Sequence, residues 1–347
     1  MQGIPAGQFV ACPRVSRRES GRRASRGGGL VGCFEVSQMQ SRRPIVAGQF
    51  YPGQPQACKD EIEACLAART VGEALPETIV AGIVPHAGWT FSGDVAAMVF
   101  SAIKQRCEKV DTFVICGAAH GYFGASPAVD DSDFWETPLG NVRIDKALAE
   151  PLLANKLVVS DSSAHKREHS IEVQVPFIQY LFPESRILPI IVPPGERAAL
   201  APAVAAQRAR LGAAPRLGAA GSSRRSAEPE RGKTVVCIGS TDLTHYGPRY
   251  GFTPMGTGPE ALQWASSVND RRFIDAALKL DARGLLAGAA ENGNACGPGA
   301  AAATIAAAKA LGKTKGLLLA HTNSNEAMRR RMHTTSLDSV GYAAIIF

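Results

Sequence analysis

Three apolar runs in this chain each end in a histidine, and that repetition limits what it can fold into. Thr78-Ile79-Val80-Ala81-Gly82-Ile83 leads into Val84-Pro85-His86-Ala87-Gly88-Trp89. Thr112 to Gly117 runs into Ala118-Ala119-His120, and Thr234 to Gly239 into Ser240-Thr241-Asp242-Leu243-Thr244-His245. Short β-branched runs closed by Gly or Pro read as buried strands leaving a sheet. Between the first two, Val95, Met98, Val99 and Ile103 recur at helical spacing, so a helix capped by Ser92 and reaching about Gln105 completes a βαβ unit. Ligands bind at the carboxyl edge of an open parallel sheet, and His86, His120 and His245 are expected to converge there. The expected fold is a single α/β domain with a central, mostly parallel sheet flanked by helices.

The other elements follow from the same periodicities. Ile45-Val46-Ala47 reads as a short strand and Lys59 to Ala68 as a helix. Short antiparallel pieces are expected between Gly121 and Asn141, then a helix from Asp145 to Asn155 and a strand at Leu157-Val158-Val159. A helical stretch opens at Glu168 and runs to Leu181, facing the core with Ile171, Val175, Ile178 and Leu181. Arg186 to Val192 is a strand, and Glu196 to about Leu211 a helix. Helices are expected from Pro259 to Leu280, near Arg283 to Glu291, and over the Ala-rich stretch 299 to 311. Strands at Gly316 to Ala320 and Val340 to Ile346 close the sheet.

Charge and cysteine content narrow the setting. The net charge of +7 is concentrated in two low-complexity stretches. Residues 1–43 carry eight arginines against two glutamates, and residues 207–233 six arginines and Lys233 against two glutamates, so the rest is net acidic. The basicity therefore gives no reason to expect a nucleic-acid partner for the folded body. Residues 1–40 are expected to be a disordered basic extension. Their Arg and Ser bias also fits a transit peptide, but an over-extended gene start, with Met39 as the true one, is the simpler account. The stretch at about 212–232 reads as a low-complexity insertion within an α/β body spanning 41–347. Eight cysteines without a CxxC pair do not make a disulfide framework, so a reducing, cytoplasmic setting is expected. No apolar run approaches the ~20 residues that span a bilayer.

Chemistry is concentrated in few residues. A single histidine at a strand end is more often a hydrogen-bonded loop residue than a ligand; three in equivalent positions favour a site. Cys296 stands before a Gly-Pro-Gly turn into a helix, a place that favours thiolate, whereas Cys116 and Cys237 lie inside apolar strands and read as core. His86, His120 and Cys296 form a borderline-soft donor set suited to iron, copper or zinc. His245 is either a further ligand or a proton-transfer group, with Asp242 placed to orient it.

Taken in order, Pro85-His86-Ala87-Gly88, the Gly117 to His120 turn, Glu168-His169-Ser170-Ile171-Glu172, Ser240 to His245, Asn294-Ala295-Cys296-Gly297 and Ser339-Val340-Gly341-Tyr342 resemble the Memo-like proteins. These include the bacterial members called AmmeMemoRadiSam system protein B. The resemblance runs from about Arg43 to Phe347 and implies a fold similar to class III extradiol dioxygenases, which hold iron with two histidines and a glutamate. It implies His86 and His120 as the histidine ligands, Cys296 in the glutamate position and His245 as the acid/base histidine. Trp89, His169 and Glu172 are then expected to contact substrate, and radical-SAM and AMMECR-type proteins to be functional partners.

The function expected is a redox or oxidase-like protein with iron or copper as cofactor, acting on a small molecule or peptide in the sheet-edge cleft. The alternatives are a binding module that uses the cleft for a phosphopeptide or small anion, and a hydrolase with Cys296 as nucleophile and His245 as base.

Overall fold

The computed structural model describes residues 39–72, 74–195, 200–211 and 232–347. The extension expected over 1–40 and the insertion over 212–232 lie outside these, save for their last residues. Among the described residues twelve strands run in chain order: β1 (Ser41–Arg42), β2 (Ala81–Val84), β3 (Thr112–Gly117), β4 (Ala128–Val129), β5 (Phe134–Thr137), β6 (Gly140–Arg143), β7 (Val159–Ser160), β8 (Arg186–Ile191), β9 (Val235–Ser240), β10 (His245–Tyr246), β11 (Leu317–Asn323) and β12 (Ser339–Ile346).

The large sheet has the order β10-β12-β2-β9-β3-β8-β4-β7, with β11 also paired to β12. Its centre, β2-β9-β3-β8, is parallel throughout. Antiparallel pairing enters only outside that centre, at β12 on one side and β4 on the other. The sheet is therefore mixed around a parallel core. A small sheet of β1, β5 and β6 stands apart.

The central strands are apolar without interruption because helices cover both faces. Phe113 and Ile115 point to one face, where they meet the helices Pro55–Ala67, Trp89–Arg106 and Val175–Leu181. Val114 and Cys116 point to the other, packing with Cys237 against the helices Pro298–Ala310 and Asp270–Leu278. Cys116 and Cys237 are fully buried core residues, as read from the sequence.

Several elements differ from expectation for identifiable reasons. Ile45-Val46-Ala47 is not a strand: the N–H groups of Ile45 and Val46 donate to the Glu172 carboxylate at 2.9 Å each, and only Ala47 keeps an isolated bridge, to Tyr51. The helix expected to be capped by Ser92 begins at Trp89 after Gly88, and the Ser92 hydroxyl donates to Ala87 O instead of capping. Glu168 to Ile171 is loop, because the Glu168 carboxylate takes up backbone N–H groups; regular structure starts with a 3₁₀ turn at Glu172. The helix expected over Pro259 to Leu280 is interrupted by a π turn at Ala265–Asn269. A helix at Ser324–Met332 escaped the periodicity because it buries only Asn325 and Ala327. Among the described residues, no helix is long and apolar enough to cross a membrane.

Candidate metal centre

The carboxyl ends of β2, β3 and β9 lie side by side, and each chain turns as it leaves its strand. After β2, Thr241 N donates to Val84 O (2.9 Å) and His86 N to Asp242 Oδ1 (2.7 Å), so the loop after β9 grips the loop after β2. After β3, Ala118 N donates to Ser170 Oγ (3.0 Å) and His120 N to Glu168 Oε2 (3.1 Å). Cys296 reaches the same place from a different element. Cys296 N donates to Asp242 O at 3.2 Å, and a Cβ on Gly297 would lie 2.7 Å from Ser240 O. Only glycine permits that approach.

One ligand atom from each of His86, His120 and Cys296 lies within 4.8 Å of the other two. The tautomer of His86 is fixed by its neighbours. The Ser240 hydroxyl spends its proton on Ser170 O (2.7 Å) and accepts from Gln174 Nε2 (3.2 Å), so it accepts from His86 Nδ1 (3.1 Å). His86 Nδ1 therefore carries the hydrogen, and Nε2 faces Cys296 Sγ at 3.1 Å with a free lone pair. His120 is arranged likewise: a carboxylate can only accept, so Nδ1 donates to Glu168 Oε1 (3.1 Å) and Nε2 remains for a ligand. The two rings stand edge to face, centroids 5.1 Å apart.

The electrostatics separate the two histidines. Complete burial, then the neighbouring His120 and His169, hold His86 well below the usual imidazole range. Burial also pulls His120 down, but the hydrogen bond and charge of Glu168 outweigh it and raise its pKa. Glu168 is pushed up by burial and brought down to about 2 by His120 and the Ser170 bonds. Burial, reinforced by Asp242, pushes the Cys296 thiol up. The thiolate expected from a helix start is thus not favoured by the protein alone, even though Asp242 N donates to Sγ at 3.3 Å.

Asp242, His245 and Cys296 form an adjoining set, again with ligand atoms within 4.8 Å. The orienting role expected of Asp242 belongs instead to Leu243, whose carbonyl accepts from His245 Nδ1 at 3.1 Å, leaving Nε2 as the basic nitrogen. Asp242 is buried, which raises its pKa, and it spends Oδ1 on His86 N. Tyr250 packs edge-on to His245, centroids 5.1 Å apart.

Of the three residues expected to meet substrate, only His169 lines the cluster. Its ring stacks on His120 at 5.1 Å and 9° and stands edge-on to His86 at 5.4 Å. His120, Glu168 and His169 also bring ligand atoms within 4.8 Å, but stacked parallel rings cannot both hold one ion in their ring planes. Trp89 is 2 % exposed, donates Nε1 to Val173 O (3.0 Å) and packs on Tyr51 and Phe177. Glu172 is 1 % exposed, its carboxylate taken by Arg42, Ile45 N, Val46 N and the Tyr51 hydroxyl. Both side chains are spent on holding elements together. Sequence reasoning missed Glu168, Ser240 and Gln174 as partners of the histidines; the first two stand in the motifs around His169 and His245, and that was the available signal. Grooves of about 860 and 630 Å³ lie elsewhere, and no residue of the cluster lines either.

The arrangement has relatives. A model of the Memo-like protein family matches residues 42–207 and 220–346, a span that contains every residue of the cluster. The chain belongs to the Memo family. It is 34% identical over 307 residues to a MEMO1 family protein of Methanosarcina barkeri, covering 88% of this chain and 99% of that one. A MEMO1 family protein of Thermococcus onnurineus is 36% identical over 314 residues, with 88% and 99% covered, and one of Pyrococcus furiosus 35% over 312 residues, with 88% and 98% covered. The Memo domain of this chain is thus a single α/β unit with mixed sheets and helices on both sides.

Proposed function

We propose that this Memo-family protein is a redox protein that holds one iron or copper ion between His86 Nε2, His120 Nε2 and Cys296 Sγ. The observation that carries the reading is the fixed tautomer of His86, which aims an unprotonated nitrogen at a sulfur 3.1 Å away. The donor set passes the chemical test for such an ion. Two imidazoles and a thiolate suit borderline-soft metals, and the carboxylate behind His120 is the usual partner of a ligating histidine. The raised thiol pKa fits as well, since a cation supplies the charge that ionises a buried thiol. Two histidines and one anionic ligand also parallel the extradiol dioxygenase pattern.

When bound, the ion supplies one-electron chemistry. The chain contributes the rest. His86 and His120 would hold the ion in fixed orientations, and Cys296 would give up its proton on binding it, with Asp242 and His245 beside it to receive that proton. His245, with Nε2 as its acceptor nitrogen, would move a proton to or from a small ligand held beside Cys296.

Elemental analysis of untagged protein tests the reading. Wild type is expected to hold iron or copper, Cys296→Ala none, and His245→Ala most of it. A metal-free wild type that takes up neither ion anaerobically contradicts it. The hydrolase alternative has one observation in its favour, the 3.1 Å approach of Cys296 Sγ to His86 Nε2, which would make His86 and not His245 the base. A raised thiol pKa opposes it.

A further inference from the structure

Arg42 is far from every ligand in sequence, yet its guanidinium is the point at which the loop behind His120 is tied down. The residue is 8% exposed. Its three nitrogens donate to three acceptors spread over one loop: Nε to His165 O (2.9 Å), Nη2 to Glu168 O (2.7 Å) and Nη1 to Glu172 Oε2 (2.9 Å). The guanidinium also lies 4.2 Å over the Trp135 ring. Only a planar fork meets three divergent acceptors at once; a lysine ammonium at the end of its stem reaches one or two.

The loop so gripped carries Glu168, whose two oxygens bond His120 at Nδ1 and at the backbone N (3.1 Å each). The segment bearing Arg42 is itself anchored at both ends. Gln40 N donates to Asp133 Oδ2 (2.8 Å), β1 pairs with β5, and Ile45 and Val46 donate to Glu172. Arg42 is thus a fixed post, not a tether on a loose strap.

We propose that Arg42 is a positioning residue for the candidate metal centre, setting the Glu168 carboxylate and, through it, the orientation and tautomer of His120. The proposal rests on His120 being a ligand, and it extends the centre to a third layer of residues. Loss of the carboxylate behind a ligating histidine lowers metal affinity by roughly 10- to 100-fold, and misplacement of that carboxylate falls at the low end of the range.

The test uses full-length protein with Co(II) as the probe, read by its sulfur-to-cobalt charge-transfer absorption. Arg42→Lys is expected to bind Co(II) about 10-fold more weakly than wild type, with the charge-transfer band kept because Cys296 is untouched. In a Glu168→Ala background the same substitution should change Co(II) affinity no further, since its effect travels through that carboxylate. Nitrogen-15 spectra of the histidine rings give a second readout that needs no metal: wild-type His120 should carry its hydrogen on Nδ1, and Arg42→Lys should show mixed tautomers. If Arg42→Lys lowers the unfolding temperature but leaves both Co(II) affinity and the His120 tautomer unchanged, Arg42 is merely structural and the proposal is wrong. If wild type binds no Co(II), the metal reading fails, while the tautomer comparison still decides the role of Arg42.

Discussion

His86, His120 and His245 share one device. Each ties Nδ1 to a protein acceptor, respectively Ser240 Oγ, Glu168 Oε1 and Leu243 O, and keeps Nε2 without a hydrogen of its own. Their roles then divide by position. His245→Ala should keep most of the bound metal but lower turnover by roughly 10²-fold or more, whereas His86→Ala should lose the metal; comparable metal loss in both would make His245 a ligand. His165, fully buried behind Arg42, gives a prediction about stability. Burial, opposed by Asp130, holds its pKa at about 4, below the usual 6.5. Its neutral form is the folded one, so its contribution is complete above pH 6.5 and is lost as pH falls toward 4. At about 1.4 kcal/mol per unit the loss is roughly 3 kcal/mol. Denaturant midpoints should therefore fall between pH 7 and pH 4.5, and less steeply in His165→Gln, where an amide can still donate to Ala128 O. The fall will not vanish in that variant, because His86 and His169 are also held low.

Among the elements, the parallel centre was legible because apolar strands buried on both faces leave an unbroken run, and the site histidines because they stand at the ends of those runs. What was not legible depends on bonds between distant segments. His86 meets Ser240 across 154 residues and His120 meets Glu168 across 48, so no local pattern announces either pair. The same cause turned Ile45-Val46-Ala47 from a strand into a loop and hid the helix Ser324–Met332, which docks by charge. Asp94, on the helix Trp89–Arg106, accepts from Arg69 Nε at 2.8 Å and Arg330 Nη1 at 3.0 Å and joins that terminal helix to the body. Burial pushes the Asp94 carboxyl up, but the two arginines hold it below the usual carboxylate range. Its stabilisation is present above about pH 4 and is lost as pH drops through the depressed value. Asp94→Ala should cost about 1–3 kcal/mol by denaturant unfolding, near the lower figure because both arginines reach water. An unchanged midpoint would mean that the helix is held by something else.

At the scale of the whole molecule, the described body begins its bonding at Gln40 and is anchored by Arg42. A chain starting at Met39 should therefore match the full-length protein in unfolding temperature and metal content, while one starting at Ile45 should lose both. A large loss in the first would show that the basic extension docks on the body. The central claim is that two imidazoles and one thiolate from three separate segments share an ion. X-ray absorption at the metal edge of untagged protein tests it most directly. The account predicts one sulfur near ~2.3 Å and two nitrogens near ~2.0 Å, with the sulfur shell gone in Cys296→Ala. A shell of nitrogen and oxygen alone in the wild type, or a sulfur that survives Cys296→Ala, would contradict it.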